Sequence, residues 1–236
     1  MLIKRLMYYS YEKLLEKGVK KHEMPTHLGL ILDGNRRFAK EMGYDDLTMG
    51  HKLGAEKLYD VLQWCADLGI KIISIWVFST ENVQRDKQEV EALLKVIQEK
   101  IEELANSPVI KRNGFKIKAL GKMDMLPESL KSVVKNAEES TKTHSDHILN
   151  IAIGYGGREE IVEAVRKAIR EKRVNTIEEL ASSITTKDIT SNLYTNGIPD
   201  PDLIIRTSGE IRLSGFLLWQ SAYSEFYFCD ALWPVF

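Results

Sequence analysis

Asp33-Gly34-Asn35-Arg36-Arg37 puts a carboxylate, a position without side-chain bulk and two guanidiniums into one short turn. That set suits a phosphate ester held together with a hard cation. A carboxylate oxygen can ligate magnesium while phosphate oxygens supply further ligands, and guanidiniums pair with phosphate through a planar fork. Three more clusters carry related chemistry. Phe78-Ser79-Thr80-Glu81-Asn82, with Arg85, gathers hydroxyls, an amide and a guanidinium. Gly154-Tyr155-Gly156-Gly157-Arg158 is glycine-rich but lacks the spacing of a dinucleotide fingerprint. Arg206-Thr207-Ser208-Gly209-Glu210-Ile211-Arg212-Leu213-Ser214 sets two arginines among hydroxyls. Alone, the first and third are ordinary turns, and Ser79 or Thr80 is a ready cap for a following helix. Together they supply anion donors and a carboxylate for a hard cation. They contain no nucleophile–base–orienter array, Gly-x-Ser-x-Gly elbow or Walker loop. The chemistry they fit is the binding of diphosphates more than their hydrolysis.

Such turns act together only if a scaffold aligns them. Apolar runs at 27–32, 72–78, 115–120, 148–153 and 203–206 read as strands. Between them, helical periodicity starts at Asn35 and recurs over 53–68, 88–104, 128–141 and 159–170. This alternation predicts right-handed crossovers in one α/β domain over 1–236, with a mainly parallel sheet flanked by helices. Ligands of open α/β sheets bind beyond the carboxyl ends of the strands, and each of the four clusters follows a strand. Residues 1–21 form an amphipathic pattern, with Ile3, Leu6, Met7, Tyr11, Leu14 and Leu15 on one face. Packing on the domain is the expectation. Peripheral membrane contact is the alternative, because Lys4, Arg5, Lys13, Lys17, Lys20 and Lys21 flank that face.

Composition excludes several classes. With 33 Lys+Arg against 34 Asp+Glu, the chain has no global basic character that would call for nucleic acid. Cys65 and Cys229 form neither a metal spacing nor a disulfide framework and fit a reducing cytoplasm. No apolar run reaches the length of a membrane span, and the N-terminus does not read as a secretory signal. His144 and His147 have no further convergent ligand.

The stretches LDGNRRFAK, GHKLGAEKL, FSTEN with Arg85, IAIGYGGR and RTSGEIRLSGFLLWQSAYSEFYF are specific in combination. Through them the chain resembles the cis-prenyltransferases, the undecaprenyl diphosphate synthase family, from about His27 to Pro234. The wording LTMGHKLGAEKL and SGFLLWQ resembles the archaeal and eukaryotic branch. The resemblance implies a Mg2+-dependent homodimer that condenses isopentenyl diphosphate with an allylic diphosphate, farnesyl or geranylgeranyl, to make a long polyprenyl diphosphate. It implies that Asp33 binds magnesium and assists departure of the allylic diphosphate. Gly34, Asn35, Arg36, Arg37, Phe38 and His51 would hold that diphosphate. Ser79, Thr80, Glu81, Asn82 and Arg85 would line the junction of the two substrates, with Asn82 helping proton removal. Arg206, Arg212, Leu213 and Ser214 would bind isopentenyl diphosphate, and Glu225 would join Asp33 as a metal ligand.

The inward faces of 53–68 and 88–104 are candidate tunnel walls. Leu217, Leu218, Trp219, Tyr223, Phe226 and Phe228 are either the dimer interface or core. Phe38 and Val83 stand where many relatives carry Trp. Val235 replaces the usual Asp of the ending, and relatives usually continue past Phe236, a tail that would support dimerisation or isopentenyl diphosphate binding. One rival is a non-catalytic subunit, which should have lost Asp33, Arg37, Asn82, Arg206 and Arg212, all present here. The other is a phosphohydrolase or nucleotide-binding enzyme, whose loops are missing.

Overall fold

The computed structural model describes residues 2–236, with side chains from residue 11 onward. Helix α1 (Leu2–Val19) precedes β1 (His27–Ile31), α2 (Asn35–Glu41) and α3 (Thr48–Leu68). Strand β2 (Ile72–Ser79) leads through a 3-10 turn at Thr80–Gln84 into α4 (Lys87–Asn106) and α5 (Pro108–Arg112). Then follow β3 (Phe115–Leu120), α6 (Glu128–Thr141), β4 (His147–Tyr155) and α7 (Gly157–Glu171). Two short helices, α8 (Ile177–Ser183) and α9 (Thr186–Thr190), lead to β5 (Leu203–Arg206) and β6 (Glu225–Phe228).

Among the described residues the strands form one parallel sheet in the order β3-β4-β2-β1-β5-β6. The α/β expectation is met. The inner strands are apolar runs because helices or packed loops cover both faces; every residue of β1 is buried. The chain leaves β1 toward β2 on one side and later returns to β1's other flank as β5. The gap between the carboxyl ends of β1 and β5 is therefore the topological switch point, where open sheets bind ligands.

One face of the sheet packs under α3, α4 and α6 around Leu62, Ile73, Ile110, Leu130 and Leu149. The α4 residues Leu93, Val96, Ile97, Ile101 and Leu104 recur at helical spacing and are buried. Burying a side chain of that size contributes about 1.5–3 kcal/mol. The other face packs on Phe216 and Leu217, with Phe216 stacked 5.6 Å from Trp76. A Cβ at Gly29 would stand 2.9 Å from Ile204 Cγ1, so only glycine lets β1 and β5 pair with Phe216 seated over them.

Three expectations change. Asp86, not Ser79 or Thr80, caps α4 by accepting from Gln88 N and Glu89 N. On α1, Tyr11, Leu14 and Leu15 are exposed, Leu14 by 70%, so the described part of that face does not pack on the domain. The side chains of Ile3, Leu6 and Met7 lie outside the described residues. Leu217 is fully buried in core, whereas Tyr223, Phe226 and Tyr227 are exposed at the β6 edge.

Candidate active site

Three of the four clusters become one site because β1, β2 and β5 end side by side. A cavity of about 760 Å³ opens there. Its mouth takes Asp33, Arg36 and Arg37 from the α2 entry, His51 from α3, Asn82 and Arg85 from the β2 turn, and Arg206 and Ser214 from the β5 turn. Gly34, Asn35, Ser79 and Glu81 also border it. Its depth is apolar, running between Leu58, Leu93, Ile97, Leu104, Ile75 and Ile151.

Asp33 is held by its neighbours. Arg206 Nη2 donates to Asp33 Oδ2 at 2.6 Å, and Gly34 N donates to Oδ1 at 2.7 Å. Thr207 Oγ1 accepts from Asp33 N at 3.0 Å and donates to Asp33 O at 2.6 Å. Burial works to raise the Asp33 carboxyl, but the hydrogen bond and charge of Arg206, with the Gly34 N–H, outweigh it and hold the group below the ordinary carboxylate range. Arg206 is itself buried, and its Nη1 donates to Arg212 O at 2.5 Å and Ser214 Oγ at 2.8 Å. Ser208 and Ser214 sit at φ 82° and 51°, the left-handed region that side chains other than glycine's disfavour. That strain is supported by the hydrogen bonds Arg206 makes across the loop.

Two glutamates occupy the remaining guanidiniums. Glu89 Oε1 lies 3.1 Å from Arg36 and 3.2 Å from Arg85. Glu210 lies 3.5 Å from Arg37 and also pairs with Arg212. His51 stands among these charges. Burial first, then the fields of Arg85 and Arg36, lower its imidazole to about 4. It is therefore neutral near pH 7 and can donate one ring N–H without adding a proton charge.

Glycines set how closely these parts approach. A Cβ on Gly50 would fall on the Asn35 backbone carbonyl, and one on Gly54 on Asn35 Oδ1. The GHKLG stretch thus lets the first turn of α2 lie directly on α3. Asn35 is spent on that anchoring, since its Nδ2 donates to Leu32 O at 2.9 Å. Asn82 Oδ1 accepts from Ser79 N at 2.9 Å, and Asn82 N donates to Ser79 Oγ at 3.1 Å, so its carboxamide is fixed by a reciprocal cap.

Some expected residues stand outside the cavity. Phe38, Thr80, Arg212 and Leu213 do not line it, although the Arg212 carbonyl orients Arg206. Glu225 is exposed and pairs in register with Leu203, at the entry end of β5, while Asp33 lies past the exit end of β1. One chain does not bring those two carboxylates together, and no cluster of three potential metal ligands occurs among the described residues. The glycine-rich cluster is structural. Tyr155 is buried and donates to Glu160 Oε2 at 2.5 Å, and Gly157 N donates to Gly215 O at 2.8 Å, bracing the β5 loop.

Residues not singled out from the sequence also belong here. Trp233 N donates to Asp33 O at 3.0 Å and its Nε1 to Gly54 O at 2.7 Å, so the C-terminal turn braces the site from below. No periodic signal marks such a residue. Buried Arg206 Nε, at the cavity mouth, has no protein partner, which fits a site completed by a polar ligand.

A family model described as putative undecaprenyl diphosphate synthase matches residues 31–236. An isoprenyl transferase of Thermus thermophilus is 48% identical over 99% of this chain and 89% of its own length. A geranylgeranyl-diphosphate-specific tritrans,polycis-undecaprenyl-diphosphate synthase of Methanopyrus kandleri is 45% identical, over 98% of this chain and 84% of its own. Identity to the bacterial relative is no lower than to the archaeal one, so the chain is not set on an archaeal branch. The crystal structure of lavandulyl diphosphate synthase from Lavandula x intermedia, in complex with dimethylallyl diphosphate, superposes with a TM-score of 0.80 at 33% identity, covering 90% of this chain and 89% of that one.

Proposed function

This chain belongs to the undecaprenyl diphosphate synthase family of prenyltransferases, and on that premise we propose that its cavity joins isopentenyl diphosphate to an allylic diphosphate and houses the growing cis-prenyl chain. The observation that carries this is one cavity with an arginine-lined mouth and an apolar depth. Charged heads and hydrocarbon tails of the substrates match those two ends.

Arg36, Arg37 and Arg85 take the allylic diphosphate, and His51 donates a neutral N–H to it. Guanidiniums already in place stabilise the charge that builds on the leaving diphosphate as the allylic C–O bond breaks. Arg206 and Ser214 take the second diphosphate, next to Asp33, which aligns the alkene with the allylic carbon. The proton lost after addition passes to an oxygen of the departing diphosphate, and Asn82, held by Ser79, positions that transfer; as an amide it does not act as the base. Asp33 fits a magnesium ligand, as a half-buried carboxylate at the mouth of a cavity that would take oxygen-rich substrates. Magnesium would there neutralise diphosphate charge and polarise the leaving oxygen.

Two further parts belong to this reading. The exposed Phe226 and Tyr227 on the edge strand β6, with Tyr223 just before it, suit pairing with a second copy. The exposed face of α1 beside Lys17, Lys20 and Lys21 suits peripheral contact with an anionic lipid surface; no helix among the described residues is long and apolar enough to cross a membrane. The deciding experiment incubates the chain with magnesium, labelled isopentenyl diphosphate and each allylic diphosphate in turn, beside Asp33→Ala. Extended lipid from the parent and none from the variant is expected. A folded parent that binds isopentenyl diphosphate but extends nothing would refute catalysis by this chain alone.

A further inference from the structure

Helix α2 presents two faces. Asn35 and Ala39, four residues apart, lie against α3: Ala39 is fully buried, and a Cβ at Gly50 would stand 3.3 Å from the Ala39 methyl. Arg36 and Lys40 are also four apart, about 100° further round the helix, and both line the cavity. Lys40 is exposed, so it stands at the rim. The negative end of the helix dipole favours a lysine in this last turn, but that preference does not choose the face. On this face Lys40 is repelled by Arg36 and by Arg37, its neighbours one turn back. An isolated helix gains nothing from such a placement.

Lys40 also differs from the other cations of the cavity. Arg206 holds Asp33, Arg36 and Arg85 share Glu89, Arg37 meets Glu210, and Lys100 meets Glu56. Lys40 pairs with no acid among the described residues. Asp46, on the loop that follows α2, instead accepts from Thr48 N at 2.9 Å and from Thr48 Oγ1 at 2.7 Å. The difference decides which cation a diphosphate meets first. At each arginine it must displace a carboxylate, whereas at Lys40 it displaces only water. An ammonium is a compact charge with three rotatable donors, so it attracts phosphate without demanding one geometry.

We propose that Lys40 is the capture residue for the allylic substrate: its ammonium takes the terminal phosphate of the incoming diphosphate at the rim and passes it to Arg36 and Arg37, one helical turn away. The same contact guides inorganic diphosphate out once the allylic C–O bond has broken. Isopentenyl diphosphate, bound on the β5 side at Arg206 and Ser214, does not use it. The proposal rests on the reading that the allylic diphosphate binds on the α2 side of the mouth.

The test measures initial rates with labelled isopentenyl diphosphate and either farnesyl or geranylgeranyl diphosphate, at low and high salt, for parent, K40Q, K40R and K131Q. Lys131 pairs with Glu128 and does not line the cavity, so K131Q reports the loss of one net charge alone. Lys40 is exposed, so its substitutions disturb no packing. At low salt K40Q should lower kcat/KM for the allylic diphosphate roughly 5-fold, with the fall carried by KM rather than kcat, and should weaken inhibition by inorganic diphosphate by a similar factor. K40R keeps the charge and should stay within about two-fold of the parent. At about 0.5 M salt, where a charge acts over only a few ångströms, the deficit of K40Q should shrink. An unchanged kcat/KM in K40Q, an equal fall in K131Q or K40R, or an equal rise in the KM for isopentenyl diphosphate overturns the proposal. A parent that extends neither allylic diphosphate overturns the chain-elongation reading, and this proposal with it.

Discussion

His51 offers a direct measure of the field inside the mouth. Its imidazole is lowered from 6.5 to about 4, by burial and by Arg85 and Arg36. Between those values the unfolded chain takes up a proton that the folded chain refuses. Stability gained from the neutral ring is thus whole above about pH 6.5 and falls as pH drops toward 4. One pK unit corresponds to about 1.4 kcal/mol, so the full loss is up to about 3 kcal/mol. Replacing His51 by Gln removes the titration while keeping an amide donor. The assay is denaturant unfolding of parent and H51Q at intervals from pH 7 to pH 4. Other titrating groups, including Asp33 and buried His27, act in both proteins and cancel in the difference. H51Q should therefore gain on the parent steadily as pH falls, by about 2–3 kcal/mol at pH 4. Parallel curves would show that His51 feels neither burial nor arginines as argued. Inorganic diphosphate supplies a second arm: neutralising Arg36 and Arg85 should raise the His51 midpoint in an NMR titration, and an unmoved midpoint would remove His51 from the anion site.

Arg206→Lys keeps a charge but loses the fork that reaches Asp33 and Ser214 together, so the KM for isopentenyl diphosphate should rise roughly 10-fold or more in steady-state assays. Gly50→Ala forces a methyl onto the Asn35 carbonyl; the cost is about 2–3 kcal/mol, seen as a melting temperature lower by about 5–10 °C. Glu89→Gln releases Arg36 and Arg85 from a competing carboxylate, and calorimetry should show inorganic diphosphate binding about 5-fold tighter, the size expected for a partly exposed pair.

The strands and long helices were legible because parallel strands buried on both faces read as apolar runs and the helices keep a 3.6-residue stripe. Strand β6 was not, because its residues 225–228 lie at an edge with three of four side chains exposed, and the expected alternation never forms. Asp33, Arg36, Arg37, Arg85 and Arg206 were legible because each follows a strand with a residue type suited to phosphate. Trp233, Thr207 and the tight fit of Gly50 and Gly54 on Asn35 depend on distant segments meeting, which no local spacing encodes. Asp86 capping α4 is a smaller case: Ser79 was an equally good cap by type, and the 3-10 turn between them decided the matter. The archaeal-like wording is not confirmed, since identity over the whole chain is similar for a bacterial relative, at 48%, and an archaeal one, at 45%.

The carboxylates in the mouth explain how so many cations share one site before substrate arrives. Four guanidiniums, of Arg36, Arg37, Arg85 and Arg206, line the mouth with that of Arg212 beside them, and like charges at such spacing would repel. Asp33 sits on Arg206, Glu89 between Arg36 and Arg85, and Glu210 between Arg37 and Arg212. Each acid occupies a position that a phosphate oxygen can take. Binding then exchanges one anion for another, which keeps the arginines pre-aimed and lowers the reorganisation needed when charge develops on the leaving group. The exchange also links the two substrates. If Arg206 receives the isopentenyl diphosphate, as proposed above, the anion that replaces Asp33 on its guanidinium would free that carboxylate to hold a cation. Occupation of one half of the site would then prepare the acid proposed to serve the other, through the 2.6 Å contact between Arg206 and Asp33.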